Sequence, residues 1–186
     1  MTRGGHTRIF LTGFMGCGKS TLGPRVATSA GYSFLDLDQY IVAEHGAEVA
    51  DLFREHGEAW FREQEHDALR YACTLERHVI ALGGGAFVPQ RNRVLIAGCG
   101  VSVYLDVPIG ILAARLAEAR VRRPILEDGQ GNRLRGDELV TRISALIEAR
   151  LPSYQQADFV FPIPTHETKA RMSEALHAFL VEQGAL

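Results

Sequence analysis

Short apolar runs alternate along the chain with stretches whose apolar positions recur at helical spacing. Residues 8–12 (Arg-Ile-Phe-Leu-Thr) read as a strand that runs straight into a glycine-rich turn, and residues 19–30 as a helix closed by Gly31. Residues 33–36 read as a second strand ending in acid. Helical patterns follow over 39–44, 49–55 and, more strongly, 58–75. Residues 78–82 form a third predicted strand, stopped by Gly83, Gly84 and Gly85. Residues 89–97 read as a short helix with proline near its first turn, where the missing N–H does no harm. A fourth strand is predicted over 101–105, a helix over 108–119, a helix over 137–150, a fifth strand over 158–161 and a last helix over 168–183. Residues 120–136 have no clean period and are expected to be irregular, as a lid or a disordered stretch. Strands alternating with helices predict an α/β fold with a mostly parallel sheet, whose ligands sit at the carboxyl ends of the strands.

Composition narrows the class. The chain has 186 residues, 46% hydrophobic and 23% charged, enough for one globular domain with a real core. Twenty basic residues against twenty-two acidic ones, net -2, exclude a generally basic nucleic-acid binder while leaving room for local patches. Cys17, Cys73 and Cys99 show no CxxC spacing, which argues against a disulfide scaffold or zinc site and suits a reducing cytoplasm. No apolar run approaches the roughly 20 residues that span a bilayer. Residues 1–8 carry no signal-peptide pattern, and residues 2–7 are expected to be a disordered tail. Lys19 and Lys169 are the only lysines beside eighteen arginines. Base composition accounts for the scarcity, but not for where each lysine falls.

Lys19 falls in Gly13-Phe14-Met15-Gly16-Cys17-Gly18-Lys19-Ser20, a full G-x-x-x-x-G-K-[ST] match between a strand and a helix. Glycines let successive N–H groups converge on phosphate oxygens, and the helix N-terminus adds partial positive charge. A compact ammonium suits the β- and γ-phosphates, and the Ser20 hydroxyl is a hard oxygen suited to Mg²⁺. Cys17 reads as a small loop residue and Lys169 as a solvated surface residue.

Other candidates stay open on spacing alone. Asp36 and Asp38 would share one side if the second strand continued that far, giving a carboxylate near Mg²⁺ and one to accept a proton; Asp38 would equally serve as a helix cap. Arg62 and Glu65 are helix neighbours, either an exposed ion pair or an arginine aimed at a substrate anion and oriented by Glu65. Phe61, Ala68, Leu69 and Ala72 mark the buried face of that helix. Gly83, Gly84 and Gly85 suit either a flexible turn or a close backbone approach to a ligand. Arg120, Arg122, Arg123, Arg133 and Arg135 form either a solvated basic loop or a lid closing over phosphate. Arg150, at an expected helix end, either complements the helix dipole or holds an anion.

The ordered set resembles shikimate kinase: residues 13–21, Leu35-Asp36-Leu37-Asp38, Phe61-Arg62-x-x-Glu65, Leu82-Gly83-Gly84-Gly85-Ala86, Tyr104-Leu105-Asp106-Val107-Pro108, Arg123-Pro124-Ile125-Leu126 and Arg150-x-Pro152-x-Tyr154. The resemblance implies a five-stranded parallel sheet flanked by helices, in the order 2-3-1-4-5 of nucleoside monophosphate kinases. It implies one P-loop kinase domain over residues 1–186, with a substrate-binding segment at about 36–75 and a lid at about 119–136. It implies ATP and Mg²⁺, with Gly16, Cys17, Gly18, Lys19, Ser20, Thr21 and Arg123 on the nucleotide, Ser20 on the metal and Asp36 in its outer shell. Shikimate would meet Asp38, Arg62, Gly83, Gly84, Gly85 and Arg150, with Asp38, Lys19 and Arg123 catalytic. The family's adenine arginine is matched only loosely: Arg115 is nearest, but its spacing to Arg123 is shifted and Leu116 takes the aligned place. The resemblance also implies a cytoplasmic monomer that acts on small anions, with no nucleic acid or membrane. A gluconate-type kinase gives no reason for both Arg62 and Arg150. A non-catalytic nucleotide module gives none for Asp38 with Arg123.

Overall fold

The computed structural model describes residues 7–119, 123–164 and 167–186. Most of the expected tail, and Arg120 and Arg122 of the arginine-rich stretch, lie outside them.

Five strands, β1 (Arg8–Thr12), β2 (Ser33–Asp36), β3 (His78–Ala81), β4 (Val101–Asp106) and β5 (Phe159–Pro162), form one sheet in the order β2-β3-β1-β4-β5. Every pairing is parallel. All five carboxyl ends therefore open on the same edge. The helices are α1 (Lys19–Ala30), α2 (Leu37–His45), α3 (Val49–Ala72), α4 (Gln90–Cys99), α5 (Ile109–Glu118), α6 (Gly136–Tyr154) and α7 (Lys169–Glu182).

The strands read as near-continuous apolar runs because both faces of the sheet are covered. Ile9, Leu11, Val79, Val103 and Leu105 face a core shared with α1, α5, α6 and α7. Phe10, Ile80, Leu82 and Tyr104 face the other, with Leu37 and Ile41 of α2, Phe61, Ala68 and Leu69 of α3, and Ile96 of α4. α1 ends at Gly31 in the left-handed region (φ 66°), as expected of a glycine closing a helix. The two patterns read at 49–55 and 58–75 join into α3, with non-helical Gly57 (φ 84°) between them.

Four expectations need correction. β2 stops at Asp36 and α2 begins at once, so strand alternation does not align Asp36 with Asp38. The cap of α2 is Asp36, whose side chain accepts from the N–H groups of Asp38 and Gln39; Asp38 lies in the first turn. α6 does not end at Arg150 but runs through Pro152 to Tyr154. Proline removes one helical hydrogen bond, yet Tyr154 is fully buried and stacks on Tyr104 with ring centroids 5.1 Å apart, which holds the last turn in place. The stretch expected to be irregular carries a 3-10 turn, Pro124–Leu126, and an antiparallel bridge between Glu127 and Arg133. Asp128 shapes the bend, its Oδ1 accepting from the N–H groups of Gln130 and Asn132, both at 2.8 Å. Lys169 is exposed at the start of α7, as read.

Candidate active site

The loop after β1 wraps the start of α1. Gly13, Gly16 and Gly18 all take positive φ (139°, 79° and 112°), a region costly for side-chain-bearing residues. Gly16, Cys17 and Gly18 thus bend the chain into the helix N-terminus, whose first turn holds Lys19, Ser20 and Thr21. Cys17 is buried beneath it. Lys19 is also buried, its Nζ donating to the carbonyls of Gly13 (2.8 Å) and Phe14 (3.2 Å). The Ser20 hydroxyl donates to Asp36 Oδ2 at 2.5 Å, so the end of β2 meets the phosphate loop. Asp36 carries three bonds at once: this one and the two that cap α2.

The glycine run after β3 is the centre of a second cluster. A β-carbon on Gly83 would lie 2.6 Å from both Asp38 Oδ1 and Glu65 Oε1. One on Gly84 would lie 3.6 Å from the Met15 amide and 3.7 Å from Arg150 Nη1. One on Gly85 would fall within the Arg62 guanidinium. Three successive backbone positions therefore border Asp38, Arg150 and Arg62 in turn, beside the phosphate loop. A plain flexible turn gives no reason for this crowding.

α3 presents Arg62 and Glu65 one turn apart, and they pair; Arg62 Nη2 also reaches Glu58 at 3.0 Å. The pair is not the exposed surface bridge that spacing alone favours, since Glu65 is only 2% exposed. Burial pushes the Glu65 carboxyl up to about 7, against the lowering pull of Arg62. Burial works to lower the Arg62 guanidinium, but its two carboxylate partners raise it overall. The guanidinium also lies 5.6 Å from the ring centroid of Phe53. From α6, Arg150 donates to the Gly84 carbonyl at 3.2 Å, and the Tyr154 hydroxyl donates to the same oxygen at 2.6 Å.

Asp38 sits among these cations. Burial and the neighbouring Asp36 raise its carboxyl above the ordinary range, while Lys19, Arg62 and Arg123 pull the other way. Arg123, half-buried before the Pro124–Leu126 turn, is lowered by burial and by Arg133, with Asp38 opposing. Asp38, Lys19, Arg62 and Arg123 thus share one electrostatic neighbourhood, and Ser20, Asp36, Gly83, Gly84, Gly85 and Arg150 adjoin it. The arrangement suits two anions side by side, one on the loop and one on the arginines, with a carboxylate between them. A surface depression of about 580 Å³, lined by Thr7, Ser29, Arg77 and His177 among others, lies away from it.

Sequence reasoning missed two contributors, Glu58 and Asn92, and the contact that a third residue, Arg115, makes. Glu58 was detectable from its i,i+4 spacing to Arg62. Asn92 is 1% exposed and donates to the Ala86 carbonyl at 2.7 Å, tying α4 to the end of the glycine turn; a lone polar residue four before Ile96 was its only trace. Arg115, weighed from sequence only as the loose match to an adenine arginine, donates to the carbonyls of Gly16 and Cys17, a contact no local pattern signals.

Comparison with known proteins follows the same lines. The sequence profile of the family described as shikimate kinase matches residues 15–180. A shikimate kinase of Salinibacter ruber is 43% identical over 173 residues, covering 92% of this chain and 85% of that protein. The crystal structure of shikimate kinase from Bacteroides thetaiotaomicron superposes with a TM-score of 0.83 at 36% identity, covering 94% of this chain and 98% of that one. Shikimate kinase from Acinetobacter baumannii in complex with shikimate gives 0.83 at 27% identity, over 96% and 94%. A gluconokinase from Sinorhizobium meliloti shares the fold alone, at 0.54 and 19% identity over 98% and 97%.

Proposed function

This chain belongs to the shikimate kinase family, and from that premise we propose that it transfers the γ-phosphoryl group of ATP to the 3-hydroxyl of shikimate. The products are shikimate 3-phosphate and ADP, on the route through chorismate to the aromatic amino acids. The observation that carries this reading is the glycine turn bordered at successive residues by Asp38, Arg150 and Arg62. Shikimate offers a carboxylate for two guanidinium forks and a hydroxyl for the buried carboxylate.

Position and the family resemblance together support the following roles. Gly16, Cys17, Gly18, Lys19, Ser20 and Thr21 receive the ATP phosphates, with the Lys19 ammonium at the β- and γ-positions. Arg62 and Arg150 grip the shikimate carboxylate, helped by backbone at Gly83, Gly84 and Gly85. Glu65 and Glu58 fix the Arg62 fork. Asp38 orients the 3-hydroxyl and takes its proton as the oxygen–phosphorus bond forms and the bond to ADP breaks. A carboxyl raised by burial accepts that proton more readily than an exposed one. Arg123 supplies charge to the transferring group. Positioning and charge supply most of the rate, since phosphoryl transfer needs little covalent help.

Mg²⁺ fits the donors present. The Ser20 hydroxyl and Asp36 carboxylate, 2.5 Å apart, are hard oxygens, and Mg²⁺ is commonly held by one or two such groups plus phosphates. Ser20 would bind it directly and Asp36 from the outer shell; when bound it neutralises phosphate charge. Residues 36–75 form the substrate-binding segment and 119–136 the lid of one kinase domain. We place it in the cytoplasm as a monomer that engages neither nucleic acid nor membrane. Among the described residues no helix is long and apolar enough to cross a membrane, and Cys17, Cys73 and Cys99 are free. A coupled ADP-release assay with shikimate, quinate and gluconate tests the reading. ADP should appear in response to shikimate; a protein that binds ATP but releases no ADP when shikimate is added would overturn it.

A further inference from the structure

Four carbonyls of the phosphate loop are taken by two cations. Lys19 holds those of Gly13 and Phe14. Arg115, reaching in from α5, holds those of Gly16 at 3.1 Å and Cys17 at 3.4 Å through a single nitrogen, Nη1. The next residue of α5, Leu116, is buried and lies 3.3 Å from where a β-carbon of Gly16 would be. Two consecutive residues of α5 thus brace the back of the loop, one by packing and one by hydrogen bonds.

We propose that Arg115 is a positioning residue of the phosphate cradle, acting through these two carbonyls. The reason is the planarity of the peptide. In a trans peptide the carbonyl of one residue and the N–H of the next point in opposite directions, and all the peptides here are trans. Fixing the Gly16 carbonyl fixes the Cys17 N–H, which closes the bend on the Phe14 carbonyl at 3.2 Å. Fixing the Cys17 carbonyl turns the Gly18 N–H to the opposite side. There it joins the N–H groups of Lys19 and Ser20, which begin α1 and have no intrahelical acceptor. These are the donors an anion meets at a helix N-terminus. Both bonds have a guanidinium donor, so they are stronger than neutral ones. Lys19 holds its two carbonyls with the ammonium assigned above to the phosphates. Arg115 grips from the far side of the loop and can keep its hold while phosphate is bound.

The inference rests on the assignment of this loop to the ATP phosphates, and its test is chosen to separate the two. Calorimetric titration of ATP, inorganic tripolyphosphate and shikimate, each with Mg²⁺, compares the wild type with Arg115→Met and Arg115→Lys. Methionine keeps the apolar stem and loses the donors; lysine keeps a charged donor. ATP and tripolyphosphate should both weaken about tenfold in Arg115→Met, while shikimate stays within about twofold. Arg115→Lys should recover tripolyphosphate binding to within about threefold of wild type. A loss for ATP with none for tripolyphosphate would mean that Arg115 acts on the nucleoside, and would overturn the proposal. A parallel loss for shikimate would mark a general structural role and overturn it too. So would unchanged binding of all three, or a lysine variant as weak as the methionine one. If the wild type makes no shikimate 3-phosphate, the functional reading falls while the tripolyphosphate comparison still reports on the loop.

Discussion

A β-carbon on Gly85 would lie 2.5 Å from Nη1 and 2.8 Å from Cζ of Arg62. Real β-carbons do not approach so closely, and the guanidinium is the end of a flexible side chain, so Arg62 would be the group to move. Gly85→Ala should therefore behave as a mild Arg62→Ala. Arg62→Ala should raise the KM for shikimate by about tenfold or more and Gly85→Ala by less, each leaving that for ATP within about twofold. Arg150→Ala should do the same, since its guanidinium lies 3.2 Å from the Gly84 carbonyl in the same turn. Steady-state kinetics with each substrate varied separately gives the answer. Unchanged shikimate KM in both arginine variants would defeat the carboxylate clamp.

Asp38 lies where burial and Asp36 raise its carboxyl while three cations hold it down. Asp38→Asn keeps the size and one acceptor but cannot take a proton. Turnover should fall by about a hundredfold or more, with shikimate affinity within about threefold. A variant with near-normal kcat would remove Asp38 from the chemistry.

Asp36 joins two tasks that substitution can separate. Its Oδ1 caps α2, and its Oδ2 accepts from Ser20. Asparagine caps nearly as well as aspartate, whereas alanine costs about 1 kcal/mol. Asp36→Asn should keep its urea midpoint and need about tenfold more Mg²⁺ for half-maximal rate. Asp36→Ala should show the same Mg²⁺ shift and also unfold earlier. Identical Mg²⁺ dependence in all three proteins would detach Asp36 from the metal.

These residues were not equally legible in the chain. The phosphate loop was, because its glycines, lysine and serine are needed together at one spacing and little else needs them. The parallel sheet was, because each strand is a short, mostly apolar run between turn residues. Asp38 was not, because a strand end and a helix cap both favour aspartate; the choice fell to Asp36 through its contact with Ser20, sixteen residues earlier. The reach of α6 past Arg150 was hidden by Pro152, a stop signal overridden by the burial of Tyr154 against Tyr104. Arg115 meets Gly16 across a separation of 99 residues, and only packing α5 against the loop reveals the contact. The family resemblance carried the roles of Arg62 and Arg150 where periodicity favoured the surface.

Glu65 is the buried acid whose titration should show in stability. Burial raises its carboxyl from the ordinary 4.5 to about 7 in the folded protein. Between those values the folded state holds a proton that the unfolded chain has already released. Stability linked to Glu65 is therefore full below about pH 4.5, declines as pH rises through that window and levels off above about 7. The slope is at most about 1.4 kcal/mol per pH unit for one proton. Glu65→Gln cannot release a proton, so its stability should change less across the same range, even though it loses part of its bond to Arg62 and starts from a different level. Urea unfolding of both proteins at half-unit steps from pH 5 to pH 8, about the span of the window, makes the comparison. The difference between wild type and Glu65→Gln should narrow or reverse steadily with rising pH, moving against the wild type. Two curves that stay parallel would show that Glu65 is already ionised throughout, held so by Arg62 in spite of its burial.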